Sequence, residues 1–213
     1  MVGVYTPSHF AADEAAALEL LEQVGAADLV TATADGLVAT FLPLVFDPAR
    51  GEHGSMLGHV ARNNDQWQRP PVGPAMVIAH GPDAYISPSW YDSKAEHGRV
   101  VPTWNYTTVH VYGQLVVHDD PEWVDALVRR LTERQERGRE HPWSVDDAPA
   151  AFHAGQLRAI VGVELVVDRI EAKFKLSQNR PEADIDGVVA GLRAEGDEGS
   201  ADLVQRFRPA RPD

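Results

Sequence analysis

The sequence predicts an α+β protein built on an antiparallel β-barrel. Three observations carry this. Six apolar segments show strand patterning, most of it antiparallel in character. Helical stretches stand at the start, the middle and the end of the chain. No repeat, low-complexity tract or convincing linker divides the whole.

Taken in order, Asp13 to Val24 reads as the first helix, with Ala17, Leu18, Leu20, Leu21 and Val24 apolar and Gly25 as its stop. Asp28 to Ala34 alternates as a strand, and Asp35-Gly36 signals a hairpin into Leu37 to Phe46. Pro43 cannot donate to a ladder, so it marks an edge, a bulge or a strand end. Ser55 to Gly58 is a short third strand. His59 to Trp67 then reads as a short helix or turn, with His59, Arg62, Asn63 and Asn64 crowding its start. A helix N-terminus beside an arginine suits an anion, although such a segment is also an ordinary polar surface helix.

Ala75 to Gly81 is a buried strand, and Thr108 to His118 is the longest, with Val109, Val111, Leu115 and Val117 on one face. Asp120-Pro121 starts a helix that runs to about Arg137. Phe152 to Arg158 is a further short helix, and Ile160 to Ile170 is the last long strand. After the break at Pro181 comes an acidic helical tail.

Composition narrows the function. A chain of 213 residues with 44% hydrophobic residues can bury a sizeable core. The net charge of −13 argues against non-specific binding to nucleic acid or anionic membranes. No apolar run reaches a membrane span and no basic-then-apolar leader opens the chain, so a cytoplasmic, soluble protein is expected. With no cysteine, disulfides, thiolate catalysis and thiolate metal sites are excluded. The nine histidines show no compact metal-ligand spacing, and no metal is expected.

Two stretches carry chemistry. The first, Ala84 to Gly113, places Ser87-Pro88-Ser89-Trp90-Tyr91 and Pro102-Thr103-Trp104-Asn105-Tyr106 around a polar loop. Flat rings interleaved with hydroxyls and amides suit a flat ligand with polar edges. The same residues would also serve two sheet-end corners in which Trp and Tyr fill space. The second is KFKLSQNR at 173–180. Lysine occurs only at 94, 173 and 175, so two of the three fall here and join Arg180 in an acidic protein. That concentration suits a phosphate or carboxylate. The only basic run, around Arg129, Arg130, Arg134, Arg137 and Arg139, is interleaved with glutamates and reads as a solvated helix face.

YTPSHF at 5–10, TFLPLVFD at 40–47, LGHVARNNDQW at 57–67, GPDAYISPSWY at 81–91, VPTWNYTTVHVYG at 101–113 and IVGVELVVDRIEAKFKLSQNR at 160–180 occur in one order along the chain. Together they resemble the PaiB-type family, described as FMN-binding negative transcriptional regulators of the split-barrel flavin-binding superfamily. The least matched parts are the loop around Lys94 to Arg99 and the tail after Pro181.

The resemblance implies an FMN-binding split barrel over 1–180, an acidic helical appendage over 181–213, and a homodimer with cofactor at its interface. It places Thr40, Leu42 and Pro43 along the flavin ring and His59, Arg62 and Asn63 around the phosphate. Thr103, Trp104, Asn105 and Thr108 would border the ring or ribityl chain, and Lys175, Ser177, Gln178 and Arg180 would close the site. Two function classes follow: a regulator working through bound flavin with a small-molecule or protein effector, or a flavin-dependent oxidoreductase. A haem-binding relative with His59, His110 or His153 as axial ligand is the third and weaker reading. No general acid or base is assigned, His110 and Tyr112 being candidates and no more, and direct DNA binding is not expected.

Overall fold

A computed structural model describes residues 3–210. Its strands are β1 (Ala26–Thr33), β2 (Gly36–Asp47), β3 (Ser55–Ala61), β4 (Ala75–Ile86), β5 (Thr103–His118) and β6 (Ile160–Lys175). They close a barrel in the order β1-β2-β3-β6-β5-β4. The registered pairings β1–β2, β1–β4, β2–β3 and β3–β6 are all antiparallel. The helices are α1 (Glu14–Gln23), α2 (Ser93–His97), α3 (Pro121–Glu136), α4 (Ala150–Leu157), α5 (Glu182–Ala194) and α6 (Glu198–Arg206). The class is therefore the α+β barrel with peripheral helices that the sequence predicts.

The chain forms two compact units, one from 18–79 with 109–170, the other from the described parts of 1–17, 80–108 and 171–213. In the first unit, strand alternation builds the core. Leu29, Leu42, Leu44, Met56, Val77, Val109, Val111, Val161 and Leu165 are all buried. The β1–β2 hairpin turns at Ala34 and Asp35, and Gly36 takes φ +121, a conformation glycine adopts without a Cβ clash. Pro43 sits opposite Ala26, the first residue of β1, where a missing donor costs least.

Helix α3 covers this unit. Asp120 caps it through the Glu122 and Trp123 amides at 3.3 Å, and Leu127 and Leu131 pack on Val45 and Leu57. Its arginines are structural. Arg130 pairs with Asp47 and reaches the Phe46 carbonyl at 3.4 Å. Arg134 donates to the carbonyls of Leu44 at 3.3 Å, Val24 at 2.8 Å and Glu22, so it closes the end of α1 rather than facing solvent. Burial holds the Arg134 guanidinium below its usual range, with the neighbouring cations Arg130 and Arg137 adding to the effect.

In the second unit, α5 lies against Trp90. A Cβ at Gly187 would stand 1.8 Å from the Trp90 carbonyl oxygen, and one at Gly191 would stand 2.3 Å from its indole. The buried Asp184 carboxylate accepts from the Ser93 amide at 2.9 Å and the Ser93 hydroxyl at 2.7 Å, tying α5 to α2. Phe174 and Phe207 meet edge to face at 5.3 Å. Residues 181–210, expected as an appendage, thus pack with 80–108 inside one unit.

Several element assignments differ from the sequence reading, β4 among them, which runs on from Gly81 to Ile86. β3 continues through His59, Val60 and Ala61, which pair with Gly162, Val161 and Ile160. The partner strand β6 overrides the local polarity, so no helix begins at His59. The turn that follows is a short 3-10 segment, Asp65–Gln68, capped by Asn64. No helix N-terminus therefore stands beside His59 and Arg62. β5 begins at Thr103, so the second aromatic run is strand, and β6 runs on to Lys175. The polar loop after Tyr91 contains α2, ended by Gly98 at φ +68.

Candidate functional site

The predicted residues fall into two groups, one in each unit. In the second unit, β5 and β6 supply the clearer of the two. Lys175, at the end of β6, donates through Nζ to the Thr103 hydroxyl and the Trp104 carbonyl, both at the start of β5. Two residues on, Ser177 turns the chain at φ +67, the only non-glycine with positive φ among the described residues. That turn points its buried hydroxyl at Asn105, and the two side chains exchange hydrogen bonds at 3.0 and 3.2 Å. Gln178 locks the turn, accepting from the Leu176 amide at 2.7 Å and donating to the Phe174 carbonyl at 2.6 Å. Arg180 follows, its guanidinium 4.4 Å above the Tyr91 ring.

Thr103, Asn105, Lys175, Ser177, Asn179 and Arg180 line a concavity of about 50 Å³. It admits a group of a few heavy atoms, not a tricyclic ring. Burial, then the neighbouring charges of Arg180 and Lys173, lower the Lys175 pKa from 10.5. No carboxylate among the described residues forms an ion pair with Lys173, Lys175 or Arg180. The donor set therefore fits an anion such as a phosphate monoester, whose charge would relieve the mutual repulsion. Asn179 and Tyr91 are additions to the predicted set. The first was legible as a polar residue inside SQNR, whereas the second meets Arg180 only through the fold.

The aromatic residues nearby divide. Trp104 is 54% exposed and meets Tyr85 edge to face at 6.0 Å, so it is an open surface ring rather than corner filling. Tyr91 is buried and does fill the interior. Thr108 is buried on β5.

In the first unit, the Thr40 hydroxyl accepts from the Asn64 amide at 2.9 Å. Leu42 is buried, Pro43 exposed and Asn63 exposed. His59 on β3 has a buried Nδ1 without a hydrogen-bond partner, and burial lowers its pKa from 6.5. Arg62 is already committed. It donates to the Arg158 carbonyl at 2.7 Å and the Ile160 carbonyl at 3.1 Å, and it forms a two-pronged pair with Asp119 at 2.5 and 3.1 Å. An anion reaching Arg62 would have to compete with Asp119. Of the histidines weighed as haem ligands, His153 is bonded to Asp125. Among the described residues no group of three or more His, Asp or Glu is placed to hold a metal, and no helix is long and apolar enough to cross a membrane.

A closed antiparallel six-strand barrel with peripheral helices gives the molecule the split-barrel fold. The chain belongs to the family described as "Putative FMN-binding domain", whose pattern it matches over residues 4–169. It is 34% identical over 194 residues to the "Protease synthase and sporulation protein PAI 2" of Bacillus subtilis, covering 90% of each chain, which bears out the PaiB-type resemblance. Two solved structures share the fold. The flavocytochrome Anf3 of Azotobacter vinelandii matches with a TM-score of 0.56 at 12% identity, over 76% of this chain and 67% of that one. An FAD- and haem-binding protein of Mycobacterium smegmatis matches with a TM-score of 0.52 at 18% identity, over 84% and 78%.

Proposed function

We propose that this chain is an FMN-binding regulatory protein in which the occupancy or redox state of the flavin alters a partner. One observation carries the binding part. Lys175 and Arg180 are cations without carboxylate partners in a chain of net charge −13, set beside the Thr103, Asn105 and Ser177 side chains. FMN, when bound, supplies a centre that takes up one or two electrons. The residues of this chain do the holding. Lys175 and Arg180 neutralise the phosphate, and Ser177, which exchanges hydrogen bonds with Asn105, fixes the turn that carries them. The exposed Trp104 offers a flat face to a ring system.

The regulatory part is supported by the PaiB-type membership and by the spent arginines of α3. Arg129 pairs with Asp125 and Asp146, Arg130 with Asp47, Arg139 with Glu136, and Arg134 with three carbonyls. A DNA-binding face needs free cations, so the effect on a partner runs through the flavin, a metabolite or a protein. A homodimer is part of the same proposal. One unit exposes Tyr5, Val101 and Trp104, and the other exposes Leu37 and Phe41, all large apolar side chains that a partner would cover.

Titration of the apoprotein with FMN and riboflavin tests the reading. FMN is expected to bind about one to two decades more tightly, because riboflavin leaves the cations unpaired. Lys175→Met and Arg180→Met should weaken FMN and leave riboflavin unchanged. Equal affinity for the two flavins would remove the assignment. Catalytic bleaching of the bound flavin by NADH or NADPH with turnover of an acceptor would make the protein an oxidoreductase instead. Light scattering that finds an FMN-loaded monomer at micromolar concentration would remove the dimer.

A further inference from the structure

A second cavity shares no lining residue with the concavity at Lys175. It lies beside the last turns of α3 and the segment that follows, encloses about 430 Å³, and is bordered by residues between Arg129 and Val145. That volume falls within the range of small-molecule sites.

Its walls are built rather than loose. Gly138 reverses the chain at φ +84. The Trp143 amide then donates to the Glu136 carboxylate at 3.0 Å. Ser144 and Asp147 form a reciprocal capping box, and Val145 is buried at the base. Arg129 ties the segment to α3, bonding Asp125 and Asp146 at 2.9 Å each. Trp143 is nevertheless 49% exposed, so a rigid backbone presents an open indole at the cavity.

The electrostatics favour a positive guest. Arg129 is neutralised twice over by its two aspartates. The Glu136 carboxylate is partly offset by the exposed Arg139 at 3.3 Å. Glu133 is exposed and has no ion-pair partner among the described residues, and α3 ends here, at Glu136, with the negative end of its dipole. Arg137 is the one opposing charge in the lining without a carboxylate partner among the described residues, and it too is exposed.

We propose that this cavity is a second ligand site, which takes a small organic cation with an aromatic or apolar body. The ammonium group is held by Glu133 and the helix end, and the body lies on Trp143 over Val145. The contact with the Glu133 carboxylate is worth a few-fold in affinity at an exposed site, and the helix end adds to it.

Calorimetric titration at low salt with phenethylammonium, 2-phenylethanol and 3-phenylpropionate tests it, since the three differ mainly in charge. Phenethylammonium is expected to bind once per chain, roughly tenfold more tightly than the alcohol, with the carboxylate weakest. The Trp143 indole N–H resonance should shift on binding. Glu133→Gln should weaken the cation about threefold or more and leave the alcohol unaffected, and Trp143→Leu should weaken both. Each variant should bind FMN as the parent does, which separates failure here from failure of the flavin assignment. No saturable binding of the cation, equal binding of all three probes, or indifference to Glu133→Gln would each overturn the proposal.

Discussion

The Ser177 hydroxyl and the Asn105 amide hold each other through two hydrogen bonds, at 3.0 and 3.2 Å, and both side chains are buried. Ser177 makes this contact only by adopting φ +67, a conformation unfavourable for a residue with a Cβ. The pair thus joins the end of β6 to the start of β5 and sets the direction from which Lys175 and Arg180 approach the concavity.

Removing the hydroxyl should therefore cost more than one bond. Ser177→Ala keeps the backbone strain and leaves Asn105 partly unsatisfied, so a loss of about 1–3 kcal/mol is expected. Ser177→Gly relieves the strain and should be milder by roughly 1 kcal/mol. Urea denaturation of both variants checks the order, and Ala milder than Gly would contradict it.

Helix α5 depends on glycines at its contact with Trp90. Gly191→Ala meets the indole, whereas Gly187→Ala meets the backbone carbonyl. Each should destabilise by about 1–3 kcal/mol or more. Trp90→Ala should partly rescue Gly191→Ala and should not rescue Gly187→Ala, because truncating the side chain leaves the carbonyl in place. Thermal unfolding of the single and double variants reads this out.

Alkaline pH should act in opposite directions on the folding of the apoprotein and on its FMN affinity. The folded pKa of Lys175 lies below its ordinary 10.5, so between the two values the unfolded chain binds more protons. The stability contribution of Lys175 therefore rises with pH in that window. FMN affinity should fall over the same window, as the cation that meets the phosphate is lost. Fluorescence titrations and denaturation curves as a function of pH check the pair of trends, and Lys175→Met should flatten both.

His59 predicts an effect on the acidic side. Burial lowers its pKa below 6.5, so the unfolded state takes up its proton first as pH falls. Its share of stability is complete above 6.5 and declines as pH drops from there to the lowered value. A His59→Gln variant should lose less stability between neutral and mildly acidic pH than the parent, and an unchanged slope would contradict this.

Glu164 is the buried member of a partly exposed polar cluster. Its carboxylate accepts two bonds from Arg50, at 3.1 and 3.2 Å, and lies 2.8 Å from His118 Nε2, whose ring stacks on Trp123 at 3.9 Å. Glu164→Gln keeps the shape but removes the charge, and should cost about 2 kcal/mol. Chemical denaturation tests this, and a neutral result would show that the cluster adds no net stability.

The sequence by itself determined the class, the order of the strands along the chain, and helices α1, α3 and α4. These rest on local signals such as the two-residue alternation in β1, β5 and β6, the Asp120-Pro121 start of α3, and glycine after α1. It also revealed that positive charge is concentrated at 173–180, because two of only three lysines stand there. Membership of the FMN-binding family was legible from motifs spread over most of the chain.

What only the tertiary structure decided was which partners the polar groups meet. Arg62 and Lys175 look equally suited to a phosphate in the sequence. The fold pairs one with Asp119 and two carbonyls, and gives the other the Thr103 hydroxyl and the Trp104 carbonyl but, among the described residues, no carboxylate. The arginines of α3 look like an exposed basic face, yet they close α1 and brace β2. β3 passes through His59 because pairing with β6 outweighs a local preference for a turn. In each case the deciding partner lies many positions away in the chain. Short-range pattern carries the period of an element and its caps, but a side chain's hydrogen-bond partners are set by which strands close the barrel.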